Sequence, residues 1–380
     1  MFIIYQIGRM AIIMYLPSMV LANLTGINVY LLIVAMGVIA IIYSYTGGLK
    51  SVLWTDFIQG CVLIAGIVFS LIFLISTING GFGAIMSELT EGGKFLSSQE
   101  PIFNANIFKT SVFLLIVGGG LNTFSSYISS QDIVQRFTTT TDIKQLKKMT
   151  YGNLVLSLFV ATVFYLIGTA LYVFYNQNPQ LLQTAQQDQI FASYIAFQLP
   201  VGITGIVLAA IYAAAQSTLS TGLNSVATSW TLDIQNFITK DMSMEKQTKV
   251  AQYISLGVGI ASIIMAVILA NGGVNSAYEW FNGFMGLVLG VLAGIFVLGI
   301  FFKKATKAGA YAGFIASAIA VVVCKYGGFD VSIWSYSIIS IGVSVIVGMI
   351  VSLMTQSQLV DKKTLNEATV YYNESEIANS

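Results

Sequence analysis

Long apolar runs are the feature that most constrains the fold of this chain. Ten stretches come close to or exceed the roughly 20 apolar residues that a helix needs to cross a bilayer. Charged residues make up 9% of the 380 residues, against roughly 25% in a soluble domain, and the mean hydropathy is +0.81. Backbone groups in lipid must be hydrogen-bonded within the chain, so runs of this length indicate helices. The sequence therefore predicts an all-α, polytopic membrane protein.

The predicted spans are separated by short polar segments. They lie near residues 1–22, 28–45, 51–76, 109–135, 150–175, 200–232, 250–271, 277–302, 306–325 and 332–355. We expect residues 1–355 to form one transmembrane bundle of about ten helices, with a turn over 45–50. The polar residues 356–380 are expected to form a cytoplasmic tail.

The distribution of Lys and Arg predicts the orientation. Thirteen of them fall in one set of alternating loops and in the tail, and three fall in the opposite loops. The set that is richer in Lys and Arg is expected to be cytoplasmic, so the C-terminus is predicted to be inside. The formal net charge is +1, which gives no support for a nucleic-acid partner. These features predict a multi-pass protein of the plasma membrane.

Asp56 is an isolated carboxylate at the start of an apolar run. No other residue from 52 to 76 carries a formal charge, and Thr55 and Gln59 extend a polar stripe from it. A charge in a span is costly and usually meets a partner inside the bundle or in a watery cavity. Arg9 is the comparably placed fixed cation, and Lys50 is an interfacial alternative. A mobile cation is the third alternative, and it indicates ion-coupled transport.

A second group of polar residues lies within the span near 200–232. Ala214, Ser217, Thr218 and Thr221 share one helix face, and Ser220 lies on an adjoining stripe. Small and hydroxyl residues of this kind also support close helix packing. The functional alternative is a site for a hard monovalent cation lined by hydroxyl and carbonyl oxygens. Because the chain contains no His, any coupling ion is expected to be held by oxygen.

Three consecutive glycines, Gly118 to Gly120, precede polar residues within another span. Glycine costs about 1 kcal/mol against alanine in a helix, and transporters place broken helices at their substrate sites. The run therefore predicts a helix break, with Asn122 and Ser125 as substrate-binding residues. The alternative is a tight packing groove without a ligand.

Two further features have different interpretations. Arg9, near the middle of the first span, is a candidate counterion for Asp56 or a bidentate clamp for an anionic substrate. Gly286, Gly290 and Gly294 recur every four residues and predict close helix packing.

Several short motifs, taken in order, resemble a known family. They are Gly47-Gly48-Leu49, Trp54-Thr55-Asp56, Ser130-Gln131-Asp132-Ile133-Val134-Gln135-Arg136 and Leu223-Asn224-Ser225. In this order and spacing the chain resembles the sodium:solute symporters over essentially its whole length. The resemblance implies a leucine-transporter-like bundle of inverted repeats, with a partial first repeat over 1–76 and the second repeat and following helices over 109–355. It also implies that the N-terminal helices of the bundle are lacking, and that the chain is inactive alone.

The resemblance further implies a set of binding residues. Sodium ions would be the coupling ions, with no other cofactor, and the anionic sugar sialic acid would be the expected cargo. Arg9 would hold the substrate carboxylate. The first sodium site would use Ala214, Ser217 and Thr218, and the second would use Asp56, Ser217, Ser220 and Thr221.

Other functions remain as alternatives to sialic acid import. Within the class, the cargo could be a neutral sugar, an amino acid or another carboxylate. Outside it, the chain could form an uncoupled channel or a membrane scaffold. An enzyme is not expected, because the span interiors offer no acid–base or metal constellation beyond the residues already placed.

Overall fold

The computed structural model describes residues 1–92, 101–137, 140, 142–184, 187–239, 242–272 and 276–355. The side chains of residues 46–53 and 236 lie outside this description, as does the predicted tail at 356–380.

Helices dominate the described residues. They are, in chain order, α1 (Phe2–Thr25), α2 (Val29–Thr77), α3 (Gly81–Thr90), α4 (Val112–Ser129), α5 (Gln131–Phe137), α6 (Ile143–Gln177), α7 (Gln187–Phe197), α8 (Val201–Ser229), α9 (Asn236–Ile238), α10 (Met244–Gly272), α11 (Ala277–Phe301), α12 (Lys307–Tyr326) and α13 (Ser335–Met354). A 3₁₀ turn (Pro179–Leu181) follows α6, and a π-helix (Trp230–Gln235) continues α8.

Nine helical segments within the described ranges are long and apolar enough to cross a membrane. The apolar segment Val29–Tyr45 is shorter and forms the first part of α2. The predicted all-α, polytopic class is therefore confirmed. Each predicted span overlaps a helix of the structure, although the spans near 28–45 and 51–76 share α2.

The predicted turn over 45–50 is wrong. The backbone stays helical from Val29 to Thr77, a continuous run of 49 residues. At 1.5 Å per residue this helix is roughly 70 Å long, well beyond one bilayer crossing. The segment contains no proline, and two adjacent glycines lower helix propensity without removing a hydrogen-bond donor. Helix formation therefore persists where the sequence indicated a turn.

The predicted break at Gly118–Gly120 is also wrong, because α4 is continuous from Val112 to Ser129. A Cβ atom added at Gly118 would lie 2.2 Å from the backbone oxygen of Trp334. Glycine is needed here because α4 touches the backbone at the start of α13. The packing alternative explains this glycine, and no break is required.

The chain divides into two compact units. Among the described residues, the unit that we call the α13 unit contains residues 1–5, 101–134 and 278–355. The other, which we call the α8 unit, contains residues 6–92, 135–272 and 276–277.

Glycine–serine contacts hold the α13 unit together. Cβ atoms added at Gly290 and Gly294 would lie 2.1 Å from Ser340 Oγ and 2.4 Å from Ser344 Cβ. Gly286 faces Ser337 in the same way at 3.2 Å. The predicted packing role of this glycine stripe is confirmed, and it brings α11 against α13.

Three helices pack closely in the α8 unit. The second half of α2 meets α8, where a Cβ atom at Gly66 would lie 2.5 Å from Ala210 Cβ. On another side of α8, Met10 of α1 packs against Gly222. A Cβ atom added at Gly222 would lie 2.9 Å from the sulfur of Met10. These contacts fix α8 between α1 and the second half of α2.

Candidate functional site

The carboxylate of Asp56 lies at the contact between α2 and α8. Its side chain is only 15% exposed. Ser217 Oγ donates a hydrogen bond to one carboxylate oxygen at 2.5 Å, and Thr221 Oγ1 donates to the other at 3.2 Å. Ser217 and Thr221 are four residues apart on one face of α8, so both hydroxyls reach the same group. The structure thus brings together three of the four residues predicted for the second sodium site.

The fixed cation at Asp56 is Arg136. Its Nη2 lies 2.6 Å from Asp56 Oδ2 and 3.1 Å from Thr221 Oγ1. The sequence argument gave Arg9 as the only comparably placed fixed cation, and that prediction is wrong. Arg136 lies on the short helix α5, which places it at the α2–α8 contact. The side chain of Lys50 lies outside the described residues.

This site is built to hold a positive charge. Two hydroxyls and a guanidinium surround a carboxylate that is largely removed from solvent, and every ligand atom that α2 and α8 contribute is oxygen. The Arg136 side chain remains 44% exposed, so its ion pair is partly screened and is worth about 1 kcal/mol or less. An ion pair of this strength is open to exchange with a small cation.

Two other predicted ligands turn their hydroxyls to their own helix. Thr218 Oγ1 donates to the carbonyl oxygen of Ala214 at 3.1 Å, and Ser220 Oγ donates to that of Ser217 at 3.0 Å. Such bonds to a preceding carbonyl satisfy a hydroxyl inside a helix. The oxygens of the predicted first sodium site therefore lie together on α8, and Ser220 is engaged away from Asp56.

Arg9 is half buried on α1, in the α8 unit. One turn earlier, Gln6 is fully buried and donates from Nε2 to Ser225 Oγ at 3.4 Å. Together with the Met10–Gly222 contact, this bond holds α1 against α8. Arg9 therefore lies on a helix that is fixed to the hydroxyl-rich helix.

Asn122 and Ser125 belong to the α13 unit, and both are buried. Asn122 donates to Asn282 Oδ1 at 3.2 Å and accepts from Ser337 Oγ at 2.9 Å, which links α4, α11 and α13. Ser125 Oγ donates to the carbonyl oxygen of Leu121 at 2.7 Å. Their polar groups are engaged within the unit, which favours the packing alternative for this segment.

Comparison with known proteins gives a consistent result. The model of the sodium:solute symporter family matches residues 1–317. A sodium/sialic acid symporter of Proteus mirabilis, SiaT, is 35% identical over 351 residues, which cover 92% of this chain and 70% of that protein. The sodium/sialic acid symporter NanT of Aliivibrio fischeri is 30% identical over 359 residues, with 94% and 70% covered.

A solved structure gives the same fold. It is a substrate-bound, outward-open state of a Na⁺-coupled sialic acid symporter, described as revealing a novel Na⁺ site. It matches with a TM-score of 0.84 and 34% identity, covering 93% of this chain and 72% of that one. The present chain shares its leucine-transporter-like fold.

Proposed function

This chain belongs to the sodium:solute symporter family, and we propose that it imports sialic acid, with sodium moving down its gradient as the coupling ion. The transport would follow alternating access around sites near the middle of the membrane. The relatives at 35% and 30% identity, both sodium/sialic acid symporters, support this cargo.

The observation that carries the proposal is the arrangement at Asp56. A largely buried carboxylate accepts from two α8 hydroxyls and is paired with a half-exposed guanidinium. A largely buried carboxylate stays ionised when it is paired with a cation, and this arrangement favours a cation at the site. Sodium is a hard cation that suits carboxylate and hydroxyl oxygens, and it would take the place of Arg136.

Two sodium sites follow as proposals. The second site would use Asp56, Ser217, Ser220 and Thr221, with Ser220 turning its hydroxyl away from the Ser217 carbonyl. The first site would use Ala214, Ser217 and Thr218 on the same helix. Ser217 belongs to both, so occupation of one site would affect the other. Sodium and substrate would each favour the same conformation and thereby raise each other's affinity.

Arg9 would hold the carboxylate of the substrate. The guanidinium that pairs with Asp56 belongs to Arg136, so Arg9 is not needed to neutralise that carboxylate. A planar guanidinium is suited to bidentate binding of a carboxylate. Asn122 and Ser125 would join the substrate site only by exchanging their present hydrogen bonds, and Arg9 is therefore given the main role.

The distribution of Lys and Arg supports a plasma-membrane protein with its C-terminus in the cytoplasm. Thirteen of these residues are on the predicted cytoplasmic side and three on the other. The function of the chain would be transport, without an enzymatic reaction.

Uptake of radiolabelled sialic acid into proteoliposomes by the full-length protein tests the function. An inward sodium gradient should drive accumulation, and equal gradients of potassium or choline should not. Arg9→Ala should abolish this uptake, and Asp56→Asn should weaken its dependence on sodium. Accumulation that is equal in all three salts would contradict coupling and would favour a channel.

Competition with unlabelled solutes separates the alternative cargoes. Sialic acid should compete, whereas a neutral sugar should not, because it has no carboxylate for Arg9. Stronger competition by an amino acid or by another carboxylate would assign the site to that cargo instead. Competition by a neutral sugar, together with unchanged uptake in Arg9→Ala, would overturn the proposed anion clamp. A scaffold would show no uptake of any solute.

A further inference from the structure

Gln59 presents a buried oxygen that the contacts described so far do not use. It lies three residues after Asp56 on α2. Its Oε1 is shielded from solvent and has no hydrogen-bond partner among the described residues. A buried amide oxygen without a donor is costly, and such a group calls for an explanation such as an absent water or ion.

The position of Gln59 on α2 directs it towards α8. Asp56 and Gly66 both contact α8, through Ser217 and Ala210 respectively. At 100° per residue, Gln59 lies on the arc between these two positions, on the same face of α2. Since both neighbours on this face meet α8, Gln59 meets it as well.

The part of α8 that Gln59 faces carries small side chains. The two helices run antiparallel, because Asp56 meets Ser217 and the later residue Gly66 meets the earlier residue Ala210. Gln59 is therefore opposite the interval 210–217, which includes the small residues Ala213 and Ala214. The carbonyl of Ala214 also accepts a hydrogen bond from Thr218 of the same helix.

We propose that the Gln59 amide oxygen is an additional ligand of the sodium ion at Asp56. This inference rests on the proposed function, since it needs sodium to replace Arg136 there. A neutral amide oxygen adds coordination without adding charge, so one carboxylate still balances one monovalent cation. When Arg136 holds Asp56, as in this structure, the amide oxygen has no partner; when sodium binds, it gains one.

Equilibrium binding of ²²Na⁺ to the purified chain tests the assignment. Gln59→Leu keeps the size of the side chain and removes the oxygen, and it should weaken sodium affinity roughly tenfold, the scale of losing one partner at a metal site. Ser70→Ala is the matched control: Ser70 is buried on the same face of α2 and bonds only to the Gly66 carbonyl. Its sodium affinity should equal that of the wild type.

A second variant covers the case in which Gln59→Leu fails to fold. Gln59→Glu keeps an oxygen at the same place and adds a negative charge beside Asp56 and Arg136. Sodium affinity at pH 8 should then equal or exceed that of the wild type.

The outcomes are separable from the test of transport. Wild-type sodium affinity in Gln59→Leu, or a sodium affinity in Gln59→Glu that is weaker than in the wild type, would overturn the role of Gln59 and leave sodium coupling intact. Absence of sodium binding in the wild-type chain would instead overturn the proposed function.

Discussion

At the scale of single residues, the contact between Asp56 and Arg136 bears on how sodium would enter the proposed site. The carboxylate is 15% exposed and the guanidinium 44% exposed, so the arginine can withdraw towards solvent while Asp56 stays in place. Sodium at the proposed site would therefore compete with a tethered cation. Its apparent affinity would be reduced by the fraction of molecules in which Arg136 holds the site.

Removal of the tethered cation should strengthen sodium binding. In Arg136→Gln, sodium no longer has to displace an ion-pair partner from the Asp56 carboxylate. The apparent affinity for sodium should therefore rise by about two- to tenfold, since a partly exposed pair contributes about 1 kcal/mol. ²²Na⁺ binding at fixed ionic strength measures this change. Arg136→Lys keeps the charge and should give an intermediate affinity. Weaker sodium binding in Arg136→Gln would show that the arginine supports the ion and does not compete with it.

Much of this site follows from the sequence. An isolated carboxylate at Asp56 and hydroxyls four residues apart at Ser217 and Thr221 indicate a cation site, and the structure brings them together. Arg136 could not be assigned in this way, because its place depends on the direction in which α5 leaves α4. The motif Ser130–Arg136 supports the family resemblance, but it does not predict which way Arg136 points. A short helix between two spans has too few residues for its hydrophobic periodicity to show which face is buried.

At the scale of helices, apolar length is a reliable signal and glycine is an ambiguous one. Span positions follow from the number of apolar residues needed to cross a bilayer, and the helices of the structure match them. Glycine led to two wrong predictions, a turn over 45–50 and a helix break at Gly118–Gly120, and in both places the helix continues. The same residue type that weakens a helix also allows close packing, and the sequence alone does not separate these effects.

Gly118 and Gly120 provide a matched pair for testing this point. A Cβ at Gly118 would meet the Trp334 backbone at 2.2 Å, whereas nothing lies within 4 Å of a Cβ at Gly120. Gly118→Ala should therefore destabilise the protein by about 1–3 kcal/mol through overpacking. Gly120→Ala should be neutral or stabilising by up to about 1 kcal/mol, from helix propensity. Unfolding in detergent measures both, and equal effects would contradict a packing role specific to Gly118.

At the scale of the whole molecule, the residues of the Asp56 site all belong to the α8 unit. Asp56, Arg136, Ser217 and Thr221 lie within residues 6–92 and 135–277, and the contacts among them join α2, α5 and α8 to one another. An ion bound there would crosslink elements that are far apart in sequence. Binding to the folded state and not to the unfolded chain stabilises the fold by linkage.

Sodium should therefore raise the thermal stability of the purified chain. At a sodium concentration ten times the dissociation constant, the expected gain is about 1.4 kcal/mol, which amounts to a rise of a few degrees in the unfolding midpoint. The midpoint should be measured at a fixed scan rate in sodium, potassium and choline chloride of equal ionic strength, so that general screening is the same in all three. Asp56→Asn should lose the difference between the salts, because the carboxylate that favours sodium is gone, while Gly120→Ala should keep it. Equal midpoints in the three salts for the wild-type chain would contradict specific sodium binding to the folded state.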